Sequence, residues 1–178
     1  MYEEIIQFWF HEINPAQWWK VDPDFDRLIL QRFSDVHAQA TCCELYAWRC
    51  DPRGRLAEII VLDQFSRNIY RETPQAFAND PLALALAREA VAAGTDDALN
   101  AEQRDFLYMP YMHSEARNVH EMAELMFKER ATTNAYEFEL KHKAIIDRFG
   151  RYPHRNAILS RESSDEERQF LKQPGSSF

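Results

Sequence analysis

The fold is decided by residues 53–70, RGRLAEIIVLDQFSRNIY. From Leu56 to Leu62 the side chains are apolar on nearly all sides of a helix, which is the pattern of a helix buried at the centre of a domain. The second half of the segment changes character. At a helical spacing of about 100° per residue, five polar side chains fall within an arc of about 140°. These side chains are Asp63, Gln64, Arg67, Asn68 and Arg71. We therefore predict a central buried helix that ends in a fan of polar groups.

Helical patterns continue on both sides of this segment. Apolar residues recur three and four apart, and Pro, Gly, Asn or Thr stands where most patterns begin or end. The predicted helices cover residues 2–12, 23–40, 42–50, 53–70, 81–93, 101–126 with a kink at Pro110, 133–149, 153–161 and 165–171. No stretch alternates as a strand does. The sequence thus predicts one all-α domain of about eight to nine helices over residues 1–172, with a disordered tail at residues 173–178.

The composition limits the classes of function. The chain has 178 residues, only 4 glycines and a formal net charge of -8. This disfavours a glycine-rich phosphate loop, and it predicts neither nucleic acid nor an anionic membrane as a partner. The N-terminus lacks a signal peptide, and no apolar run reaches the roughly 18 residues of a membrane span. Three cysteines, Cys42, Cys43 and Cys50, lie in one helical region, so we expect reduced thiols in a cytoplasmic protein and no disulfide.

A second informative stretch is RFGRYPHRN at residues 148–156, which holds three arginines, a histidine and an asparagine. Pro153 is predicted to begin a helix, and Arg151, Arg155 and Asn156 flank its start. Free backbone N–H groups and a partial positive charge at such a start favour an anion. Arginine adds a planar, two-pronged donor that suits carboxylate or phosphate. The stretch indicates the lip of a polar pocket.

Polar residues also interrupt other apolar helix faces. Glu115 lies on an apolar arc, and a carboxylate there needs a cationic partner. The candidate partners are Arg67, Arg71, Arg151 and Arg155. We predict that Asp63, Arg67, Glu115 and Arg155 meet in space, either as a functional site or as structural ion pairs. His142, in the middle of an apolar face, favours a hydrogen-bonded core histidine. No His-Glu-x-x-His motif or adjacent His-Asp pair is present, so we predict no metal and no cofactor.

Three long motifs resemble one bacterial family, the domain of unknown function 924. They are LDQFSRN at residues 62–68, FLYMPYMHSE at residues 106–115 and RFGRYPHRN at residues 148–156. The resemblance spans nearly the whole chain. It implies a tetratricopeptide-like, right-handed α-α superhelix, although no 34-residue repeat is readable here. Three positions depart from the family pattern, with Ser66 in place of proline and Glu72 and Ser160 in place of glycine. These departures affect backbone preference more than pocket chemistry.

The family resemblance carries no activity, so three hypotheses stay open. The first is a pocket for a small anionic ligand or an acidic peptide group. Its predicted binding residues are Arg67, Arg71, Arg151 and Arg155 for charge, and Gln64, Asn68, Tyr108 and Asn156 for orientation. The second is a hydrolase acting on a phosphorylated or carboxylated small molecule, with His113 or His154 as acid–base and Glu115 or Asp63 orienting it. The third is a protein-interaction scaffold whose polar cluster is purely structural.

Overall fold

The computed structural model describes residues 1–176, and every regular element in that part of the chain is helical, which confirms the all-α prediction. The α-helices are α1 (Tyr2–Gln7), α2 (Pro23–Thr41), α3 (Pro52–Ile60), α4 (Ser66–Ile69), α5 (Asp80–Ala92), α6 (Ala101–Met112), α7 (Arg117–Arg130), α8 (Thr133–Phe149) and α9 (Asp165–Phe170). Short 3-10 turns cover Pro15–Trp19, Tyr46–Cys50, Pro74–Phe77, Thr95–Ala98 and Pro153–Arg155, and π-helical turns cover Phe8–Glu12 and Val61–Phe65. The predicted disordered tail falls partly on residues 177–178, which lie outside the described residues.

The core is built around α3 and α4, as the apolar run predicted. Leu56, Ile60, Leu62 and Phe65 are fully buried. Helices α1, α5 and α6 pack on α3, and α2 packs on α4 and on the π-helical turn that precedes it. Each fully buried side chain of this size contributes roughly 1.5–3 kcal/mol relative to an exposed one, so this helix anchors the domain. The polar residues at its far end are held in place by that packing.

The central helix is not the uniform α-helix that we predicted over residues 53–70. Between α3 and α4 the backbone makes a π-helical turn, Val61–Phe65. A π turn accommodates an extra residue and changes the angular register of everything that follows it. The predicted polar fan consequently divides into two groups. Asp63 and Arg67 point towards α5 and α6, whereas Asn68 and Arg71 bond to Asp26 on α2.

The predicted helix through residues 101–126 is also divided. Pro110 cannot donate a backbone hydrogen bond, and α6 ends two residues later at Met112. The chain turns through residues 113–116 before α7 begins at Arg117. Side chains take up the carbonyls that a continuing helix would have used. Tyr152 Oη donates to Met112 O at 2.5 Å, and His120 Nε2 donates to Ser114 O at 2.8 Å. We call residues 113–116 the α6–α7 corner.

Two shorter predicted helices do not form as α-helices. In the predicted segment 42–50 the regular structure is a 3-10 turn, Tyr46–Cys50, after a left-handed residue at Cys43, φ 59°. In the predicted segment 153–161 it is the 3-10 turn Pro153–Arg155. The chain then reverses at Ser160, which has φ 55°, and Arg161 N donates to Asn156 O at 2.8 Å. Serine therefore holds a left-handed conformation that glycine adopts most easily.

Candidate functional site

A cleft of ≈ 410 Å³ opens between the start of α5, the α6–α7 corner and the segment that follows α8. This volume lies within the range of about 300–1,000 Å³ for small-molecule sites. Its walls are mainly apolar, and a few polar groups converge on it. The lining residues are Pro74, Phe77, Ala78, Asp80, Pro81, Leu84, Pro110, His113, Ser114, Glu115, Arg155 and Leu159.

His113 is held at the cleft by a buried carboxylate. Nδ1 of His113 lies 2.7 Å from Oδ1 of Asp63, whose side chain is 1% exposed. An ionised carboxylate can only accept, so Nδ1 carries the hydrogen. Gln64 Nε2 donates to the other oxygen of Asp63 at 2.6 Å and fixes the carboxylate in turn. Within the described residues Nε2 of His113 makes no hydrogen bond, and His113 is one of the residues that line the cleft.

Charges around this pair fix its protonation. Burial works to raise the pKa of Asp63, but the Arg67 guanidinium and His113 hold it well below its usual value. Burial, aided by Arg67, lowers the pKa of His113, and Asp63 opposes that shift. The pair is therefore an anionic carboxylate and a neutral imidazole near pH 7. Its Nε2 presents a lone pair rather than a hydrogen.

Two arginines share the carboxylate of Asp80 at the side of the cleft. Arg67 donates to Asp80 through both terminal nitrogens, at 2.9 and 3.1 Å. Arg155 donates to Oδ2 of Asp80 at 3.1 Å and to the backbone oxygen of His113 at 3.1 Å. The Arg155 guanidinium lies over the rings of Phe77 and Tyr152, 4.6 and 4.7 Å from their centroids. Arg155 is 6% exposed, and its buried Nε has no partner among the described residues.

The partner of Glu115 is a residue that the sequence analysis missed. Arg161 makes a two-pronged contact with Glu115 at 2.7 and 2.9 Å, and the Tyr152 backbone N–H donates to the same carboxylate at 2.7 Å. The predicted partners of Glu115 were other arginines, so that assignment is corrected. The error follows from the helix predicted over 153–161, because a helix would have carried Arg161 away. Only the replacement of glycine by Ser160 signalled a reversal of the chain there.

The start of α5 adds a further feature to the cleft. Asp80 and Pro81 form its first turn, and no side chain caps it. Asn79, at the capping position, instead donates to Ser66 Oγ at 3.2 Å. The uncapped end contributes a partial positive charge to the cleft. By contrast, the helix start predicted at Pro153 is a single three-residue turn and supplies no comparable dipole.

The structure brings together part of the predicted set. Asp63, Arg67, His113, Glu115 and Arg155 surround the cleft or contact a residue that lines it. The predicted meeting of Asp63, Arg67 and Arg155 occurs through His113 and Asp80, and Glu115 joins through the α6–α7 corner. In the described residues, no group of three or more His, Cys, Asp or Glu side chains is placed to hold a metal ion.

Other predicted binding residues do not line the cleft. Asn68 and Arg71 bond to Asp26, at 2.8 Å for Asn68 and at 2.6 and 2.8 Å for Arg71. Arg151 pairs with Glu167. The remaining contacts are Tyr108 Oη to Asp96, Asn156 to Ser163 and Arg161, and Gln64 to Asp63 and Met109. His154 is partly buried, and burial and Arg155 lower its pKa to about 4.

Comparison with known proteins assigns the chain to a family. It belongs to the bacterial proteins of unknown function DUF924, whose sequence profile matches residues 5–175, and the resemblance drawn from the motifs is confirmed. The fold is similar to that of ATU0120, a protein of unknown function from Agrobacterium tumefaciens, with 37% sequence identity, a TM-score of 0.91 and coverage of 96% of each chain. No curated protein matches this chain.

Among the described residues, no helix has the length and apolar character that crossing a membrane requires.

Proposed function

We propose that this protein binds a small anionic molecule in the cleft. The observation that carries the proposal is the convergence on one cleft of the uncapped start of α5, Arg155 and the open nitrogen of His113. The helix start and the arginine favour a negatively charged group. The apolar walls, including Phe77 and Leu84, accommodate the rest of the ligand.

The ion pairs make the site rigid before a ligand arrives. Asp80 accepts hydrogen bonds from two arginines, and Arg155 packs on two aromatic rings. A ligand therefore meets groups that are already ordered, so binding costs little further side-chain entropy. The same pairing supports the alternative of a structural cluster, since most charges in it are matched.

Thermal melts with sulfate, phosphate and small dicarboxylates separate these alternatives. A ligand that binds only the folded state raises the melting temperature with its concentration. We expect wild type to respond to an anion, and Arg155→Gln to lose most of the response. Arg148→Gln is a matched control, because it removes the same charge from a half-exposed arginine that does not line the cleft. A steep fall in the melting temperature of Arg155→Gln, with no anion effect on any of the three proteins, would favour the structural role.

A second candidate function, hydrolysis, is favoured by one observation. Asp63 bonds to Nδ1 of His113 and leaves Nε2 without a hydrogen bond among the described residues, and His113 lines the cleft, which is the arrangement of an acid–base histidine. Ser114 Oγ accepts from the Ala116 N–H at 3.2 Å. Among the described residues no hydrogen bond joins Ser114 Oγ to His113, so a bound water is the nucleophile in this candidate function. Hydrolysis of p-nitrophenyl esters and phosphates by wild type, reduced at least about a hundredfold in His113→Gln, would support this function.

A further inference from the structure

Resting on the proposed anion site, we propose that His113 takes up one proton when the anion binds, so that the ligand is an oxyanion held against an imidazolium ion. His113 is then the residue that sets which ligands the cleft accepts. The inference starts from the geometry of the Asp63–His113 pair and from the balance of charges around the cleft.

The fixed charges around the cleft cancel. Asp63, Asp80 and Glu115 are each in contact with an arginine. The arginines are Arg67, Arg155 and Arg161, so three carboxylates face three guanidinium groups. An added anion leaves this cluster with an uncompensated negative charge, because the helix start supplies only a fraction of a charge. Burying an unpaired charge is costly, so binding favours a compensating proton.

His113 is the group placed to take that proton. Its Nδ1 is already bonded to Asp63, so an added proton goes to Nε2, and His113 is a residue that lines the cleft. The neutral imidazole presents a lone pair there and repels an anionic oxygen, whereas the imidazolium donates a hydrogen bond to it. Asp63 stabilises the imidazolium in the manner of a buried carboxylate behind an acid–base histidine.

Among the groups that surround the cleft, His113 is the one to which we assign the added proton. The charged and titratable groups that face it are Asp63 and Arg67 from the central helix, Asp80 from α5, Glu115 from its own corner, His142 from α8, and His154 and Arg155 from the segment after α8. Burial lowers the pKa of His142 to about 3 and that of His154 to about 4, so both stay neutral above pH 5. Burial works to raise the pKa of Asp63 and of Glu115, but their arginine partners hold both below their usual values, so these two carboxylates stay ionised in the same range.

The proposed protonation of His113 predicts which anions the cleft prefers. A compact oxyanion that carries a weakly acidic hydrogen, such as a phosphate group, can also bind while the imidazole is neutral, because its own O–H donates a hydrogen bond to Nε2. Sulfate has no such hydrogen near neutral pH, so its binding requires His113 to take up a proton from solvent. We therefore expect phosphate to bind more tightly than sulfate at about pH 7.5, and the two affinities to converge near pH 5.5.

Isothermal titration calorimetry with sulfate tests the inference on wild type. Sulfate does not titrate in this range, so any proton uptake belongs to the protein. Repeating the titration at pH 7 in buffers of different ionisation enthalpy should show uptake of about one proton per sulfate. The affinity should fall about tenfold per pH unit above the pKa of free His113. Sulfate binding with no proton uptake and a constant Kd from about pH 5.5 to about pH 8 overturns this inference and leaves the anion site standing. No binding of sulfate, phosphate or small dicarboxylates at any pH overturns the proposed function itself.

Two measurements guard against a variant that misfolds. His113→Gln should bind sulfate more weakly at low pH and lose the pH slope, whereas His11→Gln, a change at an exposed histidine, should keep it. The imidazole signals of wild type, followed by NMR, should show one histidine whose pKa rises when sulfate is added, and that signal should be missing from His113→Gln. A pH slope retained in His113→Gln contradicts the assignment.

Discussion

Asp63 Oδ1 lies 2.7 Å from His113 Nδ1, and this contact joins the buried central helix to the α6–α7 corner. The two residues are 50 positions apart in the sequence and come from two of the three motifs. The contact fixes the tautomer of His113, a residue that lines the cleft, and leaves Nε2 as the ring nitrogen that can accept a proton. Both proposed functions depend on it, since one uses Nε2 as a site for a proton and the other as a base.

Replacing Asp63 with Asn tests the pair directly. Asn keeps the shape of the side chain but removes the charge that Arg67 and His113 contact, so we expect the free energy of unfolding to fall by about 1–3 kcal/mol. Urea denaturation at pH 7 measures the change. Asp24→Asn is the control, because that carboxylate is 84% exposed and should change stability by less than about 0.5 kcal/mol. Equal effects of the two substitutions would contradict the structural role of Asp63.

Removing Arg161 tests the partner of Glu115. Arg161→Ala leaves Glu115 with only the Tyr152 N–H among its present donors, and we expect a loss of about 1–2 kcal/mol. The side chains are 25% and 28% exposed, so water offsets part of the cost. Thermal melts measure this loss. Arg168→Ala, at an ion pair whose side chains are 56% and 96% exposed, should change the melting temperature very little. An unchanged melting temperature in Arg161→Ala would show that its contact with Glu115 does not stabilise the α6–α7 corner.

Backbone strain at Ser160 gives a stabilising prediction. Ser160 is exposed with φ 55°, where a side chain costs roughly 1–2 kcal/mol relative to glycine. Glycine also gains freedom in the unfolded chain, so Ser160→Gly should raise stability by about 0.5–1 kcal/mol. Ser160→Ala keeps the strain and should give no gain in the same denaturant titration. Lower stability in Ser160→Gly than in Ser160→Ala would contradict the strain argument.

Buried histidines predict when acid begins to destabilise the fold. Burial lowers the pKa of His142 from 6.5 to about 3, so the unfolded chain binds a proton there that the folded chain does not. Stability therefore falls as pH drops below about 6.5, by about 1.4 kcal/mol per pH unit for each such histidine. Denaturation between pH 7 and pH 5 measures the slope. His142→Asn should reduce it, while His11→Asn should leave it unchanged.

Much of the fold was readable because its signals are local. Thr132 caps α8, Gly150 ends it, and Asn100 and Ser164 form capping boxes at α6 and α9. Each of these signals acts within a few residues of the helix end that it marks. At Pro110 the sequence predicted a kink, whereas the helix ends two residues later. A proline indicates that a helix is disturbed, but it does not show that donors from distant segments will satisfy the last carbonyls.

The site was less readable because its partners are distant and its register is shifted. The π turn at Val61–Phe65 has no sequence signature, yet it separates Asp63 and Arg67 from Asn68 and Arg71. Arg161 reaches Glu115 only because the chain reverses beforehand. A helical wheel treats such residues as one set and cannot distinguish side chains that meet a cleft from those that meet another helix.

The contacts made by Tyr152 and Arg155 have a consequence for the order in which this chain is built. The donors that satisfy the carbonyls of Met112 and His113 come from the segment after α8. During synthesis, α1 to α6 leave the ribosome well before that segment does, and chains of this kind begin to fold from the N-terminus. The nascent core can pack while the cleft still lacks one wall. The cleft is therefore completed only in the last stage of translation, and a chain cut short after Gly150 would lack both donors.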